Sequence, residues 1–195
     1  RSGSYLGPEK VTTLRRPLDV QGSGRIVHNL AEGAGWSGYG RGMVVRPARP
    51  DDYEAWRPLY DGYNAFYGRQ GPTALPEARV QAIWERFFKP EEPVRALVAE
   101  EDGALLGIAH YLFHRSVLHL DDVCYLQDIF TDPQVRGRGV GRSLIEEVYR
   151  IAQGQGCPRV YWMTQETNTP GRALYDKVAD HNGFIVYTHD FTSTP

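Results

Sequence analysis

Between residues 128 and 148 the chain reads DIFTDPQVRGRGVGRSLIEEV, and its turn interleaves Gly137, Gly139 and Gly141 with Arg136, Arg138 and Arg142. Glycine lets backbone approach a ligand closely, and a helix starting there leaves its first N–H groups without intrahelical partners. The helix dipole adds about 0.3 to 1 kcal/mol for each negative charge placed at that end. No Ser, Thr, Asp or Asn precedes Val140 to cap the helix, so a bound anion would be its cap. The alternative is a sharp turn with solvated arginines. Two familiar phosphate spacings fail here. A dinucleotide fingerprint begun at Gly137 needs glycine where Arg142 stands, and a P-loop needs glycine and lysine where Arg136 and Arg142 stand.

Other residues able to do chemistry flank this turn. Asp128 lies upstream, Glu166 and Asn168 follow the next apolar run, and Tyr175 sits in a helical pattern beyond them. Asp121 and Asp122 could add negative potential for a cationic partner, or be a solvated loop. His110, His114 and His119 raise a metal question, but no closing carboxylate or cysteine stands at a known ligand spacing, and the reading is of no metal site. Cys124 and Cys157 also lack metal spacing, which points to free thiols in a reducing, cytoplasmic compartment.

The elements that must hold these residues are legible from periodicity. A short strand at MVVRP leads to a helix begun near Asp51 or Asp52 and running to about Tyr67, made irregular by Pro58. A second helix spans Pro76 to Phe88, with Val80, Ile83, Trp84 and Phe87 on one face. RALVAE and ALLGIAHYLFH around an Asp-Gly turn predict a hairpin, followed by a strand at VCYLQDIFT. After the glycine turn, Val140, Leu144, Ile145, Val148 and Ala152 recur at helical spacing. RVYWMT reads as a strand, NTPGRALYDKVA as a short helix and GFIVYT as a last strand. The order β, α, α, β, β, β, α, β, α, β describes a mixed α/β fold with helices on both faces.

With 195 residues, 41% of them hydrophobic, the chain has apolar material for one core. Residues 1–42 carry nine of the 21 glycines without periodicity, and are expected to be a leader or a cloning-derived extension, or else a native arm that folds against a partner. The domain is expected over residues 43–195. A net charge of −2 gives no footprint for nucleic acid or an anionic membrane, and no apolar run approaches the roughly 18 residues of a membrane span.

Arg136, Gly139 and Gly141 meet the pattern Arg/Gln-x-x-Gly-x-Gly/Ala, which resembles the pyrophosphate loop of the GNAT acetyl-CoA-dependent N-acetyltransferases. The resemblance runs from the Asp-Gly hairpin to the C-terminus and more loosely from Met43. It implies a mostly antiparallel central sheet, acetyl-CoA as acyl donor, and a homodimer. It also implies that backbone at Ile129, Phe130 and Thr131 pairs with the pantetheine arm, that Arg136, Gly137, Arg138, Gly139, Val140, Gly141 and Arg142 hold the pyrophosphate, and that Asn168 contacts the donor while Tyr175 protonates the leaving thiolate. Many family members carry a glutamate on the strand before the loop as base. Here Tyr125 and Gln127 occupy that face, and strand alternation puts Asp128 on the other one. Asp128 and Glu166 therefore stand as the candidate acids.

The segments YLQDIFTDP and YWMTQETNTPGRALYDKV look like the branch holding spermidine/spermine and small histone, polyamine and D-amino-acid acetyltransferases. That likeness implies a small primary amine as acceptor. Protein lysine or N-terminal acetylation, aminoglycoside modification, and a non-catalytic acyl-CoA sensor are the alternatives.

Overall fold

The computed structural model describes residues 42–191, so the expectation for the glycine-rich arm lies outside the described residues. A five-stranded sheet runs in the order β1 (Val44–Pro47), β2 (Val94–Glu101), β3 (Ala104–His114), β4 (Val123–Thr131) and β5 (Val160–Tyr161). The first four strands pair antiparallel and β5 joins β4 in parallel. The β2–β3 turn places Asp102 at φ 49° and Gly103 at φ 80°, left-handed conformations suited to an Asp-Gly hairpin turn.

Helices cover both faces, as the sequence pattern predicts. On one side α1 (Tyr53–Phe66) and α2 (Glu77–Arg86) bury Trp56, Leu59, Val80 and Trp84 against Val98 and Ile108. On the other, α3 (Val140–Gly154) buries Val140, Leu144, Ile145 and Val148 against Leu97, Ala109 and Leu126, and α4 (Thr169–Tyr175) packs Leu174 and Tyr175 beside it. Fully burying a side chain of this size contributes about 1.5 to 3 kcal/mol, so these two layers hold the sheet.

Two glycines set the approach of helix to sheet. A Cβ at Gly62 would sit 2.7 Å from the Phe130 ring, so α1 crosses β4 closely. A Cβ at Gly107 would sit 2.8 Å from the Phe130 carbonyl oxygen and 2.9 Å from Val140, which lets the first turn of α3 settle on the sheet. The start of α1 differs from expectation in its cap. Asp52 precedes the helix but makes no side-chain cap; its carboxylate is drawn off by Arg46, at 2.7 and 2.8 Å, and by the Arg49 amide.

The two predicted C-terminal strands depart most. RVYWMT pairs only at Val160 and Tyr161, and GFIVYT forms no strand. A strand needs a ladder, and β5 pairs with β4 over two residues only, so little edge is presented there. Phe184, Ile185, Val186 and Tyr187 are left exposed.

Candidate active site

The short β4–β5 pairing creates the site. Beyond Tyr125 the two segments diverge, and the backbone of β4 from Leu126 to Thr131 faces an opening instead of a neighbouring strand. A cleft of about 510 Å³ fills this space. Its walls are Leu126, Gln127, Ile129, Phe130 and Thr131 from β4, Tyr63, Phe66 and Tyr67 from α1 and its end, Trp162 and Met163 after β5, and Asn168, Leu174 and Tyr175 on the α4 side. An extended ligand laid along β4 would find backbone groups spaced as a strand edge spaces them.

One end of the cleft is the glycine turn. Gly137 and Gly139 take φ of 80° and 89°, and Gly139 precedes α3 with no side-chain cap. Among the described residues the first amides of α3 have no protein acceptor before them, and they border the cleft, which suits a pyrophosphate. A Cβ at Gly141 would meet Leu174 at 3.2 Å and Thr131 at 3.5 Å, so the third glycine serves the packing of α3 against α4. The three arginines differ. Arg136 lines the cleft and lies 5.9 Å from the Phe130 ring centroid. Arg142 also lines it and pairs with Glu146 at 3.6 Å. Arg138 turns away to Glu101 on β2, at 2.6 Å.

Asn168 lines the cleft, yet its amide is engaged as a cap. Its Oδ1 accepts from the Gly171 amide at 3.2 Å and its Nδ2 donates to Thr164 at 2.9 Å. Tyr175 faces the cleft with its ring 5.5 Å from that of Trp162 in edge-on contact. Burial pushes its hydroxyl up to about 12, with Tyr67 adding to the shift. It is therefore a neutral phenol across the physiological range. Glu166 is exposed and does not line the cleft; its carbonyl oxygen accepts from Arg172.

Asp128 is placed differently from the alternation argument, and the reason is a β-bulge. His110 pairs with Asp128 while Tyr111 pairs with Leu126, so Gln127 is the extra residue. Leu126 keeps to the α3 side and Asp128 is rotated to the α1 side, the face of Tyr125. There it is 7% exposed and faces His110, whose Nδ1 is 2.9 Å from Asp128 Oδ2. Trp56, fully buried, donates its indole N–H to His110 Nε2 at 2.9 Å. An indole nitrogen can only donate, so Nε2 must accept and the imidazole proton sits on Nδ1, pointed at Asp128.

A wall of tyrosines surrounds this carboxylate. Burial first, then the charge of Asp128, pushes up the hydroxyls of Tyr60, Tyr63, Tyr67 and Tyr125. Tyr63 and Tyr67 line the cleft and Asp128 does not, while its charge acts on both hydroxyls. The sequence reading missed Trp56, Tyr63 and Tyr67, and weighed His110 only as a metal ligand. Tyr60, Tyr63 and Tyr67 at spacings of three and four would have been the readable signal. Among the described residues no group of three His, Cys, Asp or Glu side chains is arranged to hold a metal. Cys124 is buried with its thiol pushed up to about 12, outside any nucleophilic role.

A sheet opened between two parallel strands above an uncapped glycine-rich helix start makes a cleft suited to an extended ligand that ends in a phosphate group. Comparison with known proteins agrees. The profile of the Acetyltransferase (GNAT) family matches residues 56–179. The chain is 35% identical over 147 residues to the D-amino-acid N-acetyltransferase HPA3 of Saccharomyces cerevisiae, covering 74% of this chain and 89% of that one. It is 29% identical over 150 residues to a mycothiol acetyltransferase of Thermomonospora curvata, covering 76% of this chain and 46% of that one. Among solved structures, the aminoglycoside N-acetyltransferase AAC(6′)-Iy in complex with CoA superposes with a TM-score of 0.65 at 23% identity, covering 76% of this chain and 94% of that one. The chain belongs to the acetyltransferase (GNAT) family, and its chemistry is acetyl transfer from acetyl-CoA.

Proposed function

We propose that the protein acetylates the primary amine of a small molecule, an amino acid foremost, with Asp128 as proton acceptor and Tyr175 as the donor to the departing sulfur. The observation that carries this is the pairing, across one cleft, of an uncapped α3 start with a buried, histidine-held carboxylate beside Tyr63. The relative HPA3, named for D-amino acids, supports the acceptor class.

The β4 edge at Ile129, Phe130 and Thr131 and the α3 turn would hold and orient the acyl donor in the cleft that Tyr63 and Tyr175 also line. The acceptor arrives as an ammonium; an alkylamine near 10.4 leaves roughly one molecule in a thousand neutral near pH 7.4, and the less basic α-amine of an amino acid leaves more but still needs to lose a proton. Asp128 takes the proton through the Tyr63 hydroxyl, and His110, held by Trp56, keeps the carboxylate aimed. The amine then forms a bond to the acyl carbon and the carbon–sulfur bond breaks. A thiol near 8.5 is a stronger acid than a phenol at about 12, so Tyr175 donates a hydrogen bond to the departing sulfur without transferring its proton fully. The second ammonium proton completes the thiol. Glu166 is exposed and is not one of the residues lining the cleft, and no step is assigned to it.

The test is acetyl-CoA turnover over amino acids, polyamines, aminoglycosides and lysine peptides, with mass detection of the product. N-acetylation confined to peptides would overturn the small-molecule reading. Two further proposals accompany it. A homodimer would cover the exposed run Phe184–Tyr187, and two free cysteines suit a cytoplasmic protein. Among the described residues no helix is long and apolar enough to cross a membrane.

A further inference from the structure

Arg69 stands just past α1, after Gly68 has turned the chain at φ 78°. Its backbone amide donates to the Asn64 carbonyl oxygen at 2.9 Å, and its Nε donates to the Asn64 side-chain oxygen at 2.7 Å. Asn64 is itself 4% exposed and donates its amide to the Tyr60 carbonyl oxygen at 2.9 Å. A buried asparagine is thus wholly spent on aiming one guanidinium. The charged carbon lies 5.8 Å from the Tyr63 ring centroid and 5.5 Å from that of Tyr67, two tyrosines that line the cleft, although Arg69 is not itself one of the lining residues. Among the described residues Arg69 has no ion-pair partner, and neither terminal nitrogen of its fork is hydrogen-bonded. Of the arginines at the glycine turn, Arg138 is committed to Glu101 and Arg142 to Glu146, while Arg136 lines the cleft beside the Phe130 ring.

Tyr63 and Tyr67 consequently sit between charges of opposite sign. Burial first, then the charge of Asp128, holds their hydroxyls up while Arg69 opposes the shift. We propose that Arg69 is the carboxylate anchor of the acceptor site, so that the preferred acceptor carries a carboxylate beside its primary amine, as an α-amino acid does. The amine then sits against Tyr63 and Asp128, and the two free nitrogens of Arg69 grip the carboxylate as a fork, a geometry lysine cannot supply. A pre-aimed guanidinium loses little rotamer freedom on binding. The inference rests on the proposed acetylation of small amines and narrows its substrate class. A polyamine, cationic at both ends, would bring an ammonium against Arg69.

The experiment compares free amino acids with their carboxamides and with spermidine, in the wild type and in Arg69→Met and Arg69→Lys, measuring CoA release, acceptor KM and acetyl-CoA KM. The wild type is expected to favour acid over amide by at least about tenfold in kcat/KM, which is about 1.4 kcal/mol. That preference should fall to near unity in Arg69→Met, stay partial in Arg69→Lys, and arise from acceptor KM more than acetyl-CoA KM. Equal use of acid and amide by the wild type, a preference for spermidine, or a rise confined to acetyl-CoA KM would each overturn the proposal while leaving small-amine acetylation standing. Failure to acetylate any of these amines would defeat the underlying reading as well. Melting curves of the variants separate these outcomes from misfolding.

Discussion

Replacing Asp128 by Asn separates the chemistry of this carboxylate from its structural duty. Asn keeps the shape and still accepts the His110 Nδ1–H through its amide oxygen, while Trp56 goes on donating to Nε2. What is lost is the charged character of one hydrogen bond. Bonds to charged groups contribute about 1.5 to 3 kcal/mol and neutral ones about 0.5 to 1.5, so the stability loss should be about 1 to 1.5 kcal/mol. The catalytic loss is of another size. A positioned acid–base group contributes about 10² to 10⁴ in rate, or about 2.7 to 5.5 kcal/mol of barrier. Steady-state kcat with a saturating amino acid, read beside a denaturant melt, should show at least a hundredfold fall in rate with a modest midpoint shift. The charge removed also lies beside Tyr60, Tyr63 and Tyr67, so their hydroxyls should titrate lower in the variant, visible as phenolate absorbance at high pH. A variant within about threefold of wild-type kcat would refute Asp128 as proton acceptor.

Four further outcomes follow. Gly139→Trp should abolish acetyl-CoA binding in calorimetry, because a side chain would enter the mouth of the α3 turn and φ 89° strains any residue with a Cβ. Tyr175→Phe should lower kcat with little change in acetyl-CoA affinity. In the wild type Tyr175 favours its neutral form, a contribution complete below its ordinary pKa near 10 and lost as pH rises toward about 12, so the rate profile should have no falling limb from this group below pH 10. Cys124 should resist Ellman's reagent in the native protein and react on unfolding, since burial holds its thiol at about 12; prompt native labelling would contradict its place in the core. Removing residues 183–195 should weaken self-association in sedimentation if Phe184–Tyr187 are covered by a second copy.

The α3 helix, the β2–β3 hairpin and β4 could be read almost to the residue, because each combines an unambiguous period with a punctuating glycine or proline. GFIVYT has a strand's composition but lacks a ladder, and composition cannot report whether a partner edge exists. The cradle was equally legible, since Gly137, Gly139 and the absent cap form a local pattern. The distribution of its arginines was not, because Glu101, which takes Arg138, stands 37 residues away. Asp128 shows the sharpest limit. Alternation assigns it a face, and one extra residue at Gln127 reverses that face. The partner that makes Asp128 useful, His110, is itself held by Trp56 across 54 residues of sequence.

The most direct measurement of the central claim is the acetylation of an amino acid by purified protein supplied with acetyl-CoA, followed by mass spectrometry, in wild type and Asp128→Asn together. The account predicts N-acetylated product and one equivalent of CoA from the wild type, with at least a hundredfold less from the variant. Acetyl-CoA bound tightly by a wild type that acetylates none of the small amines would contradict it.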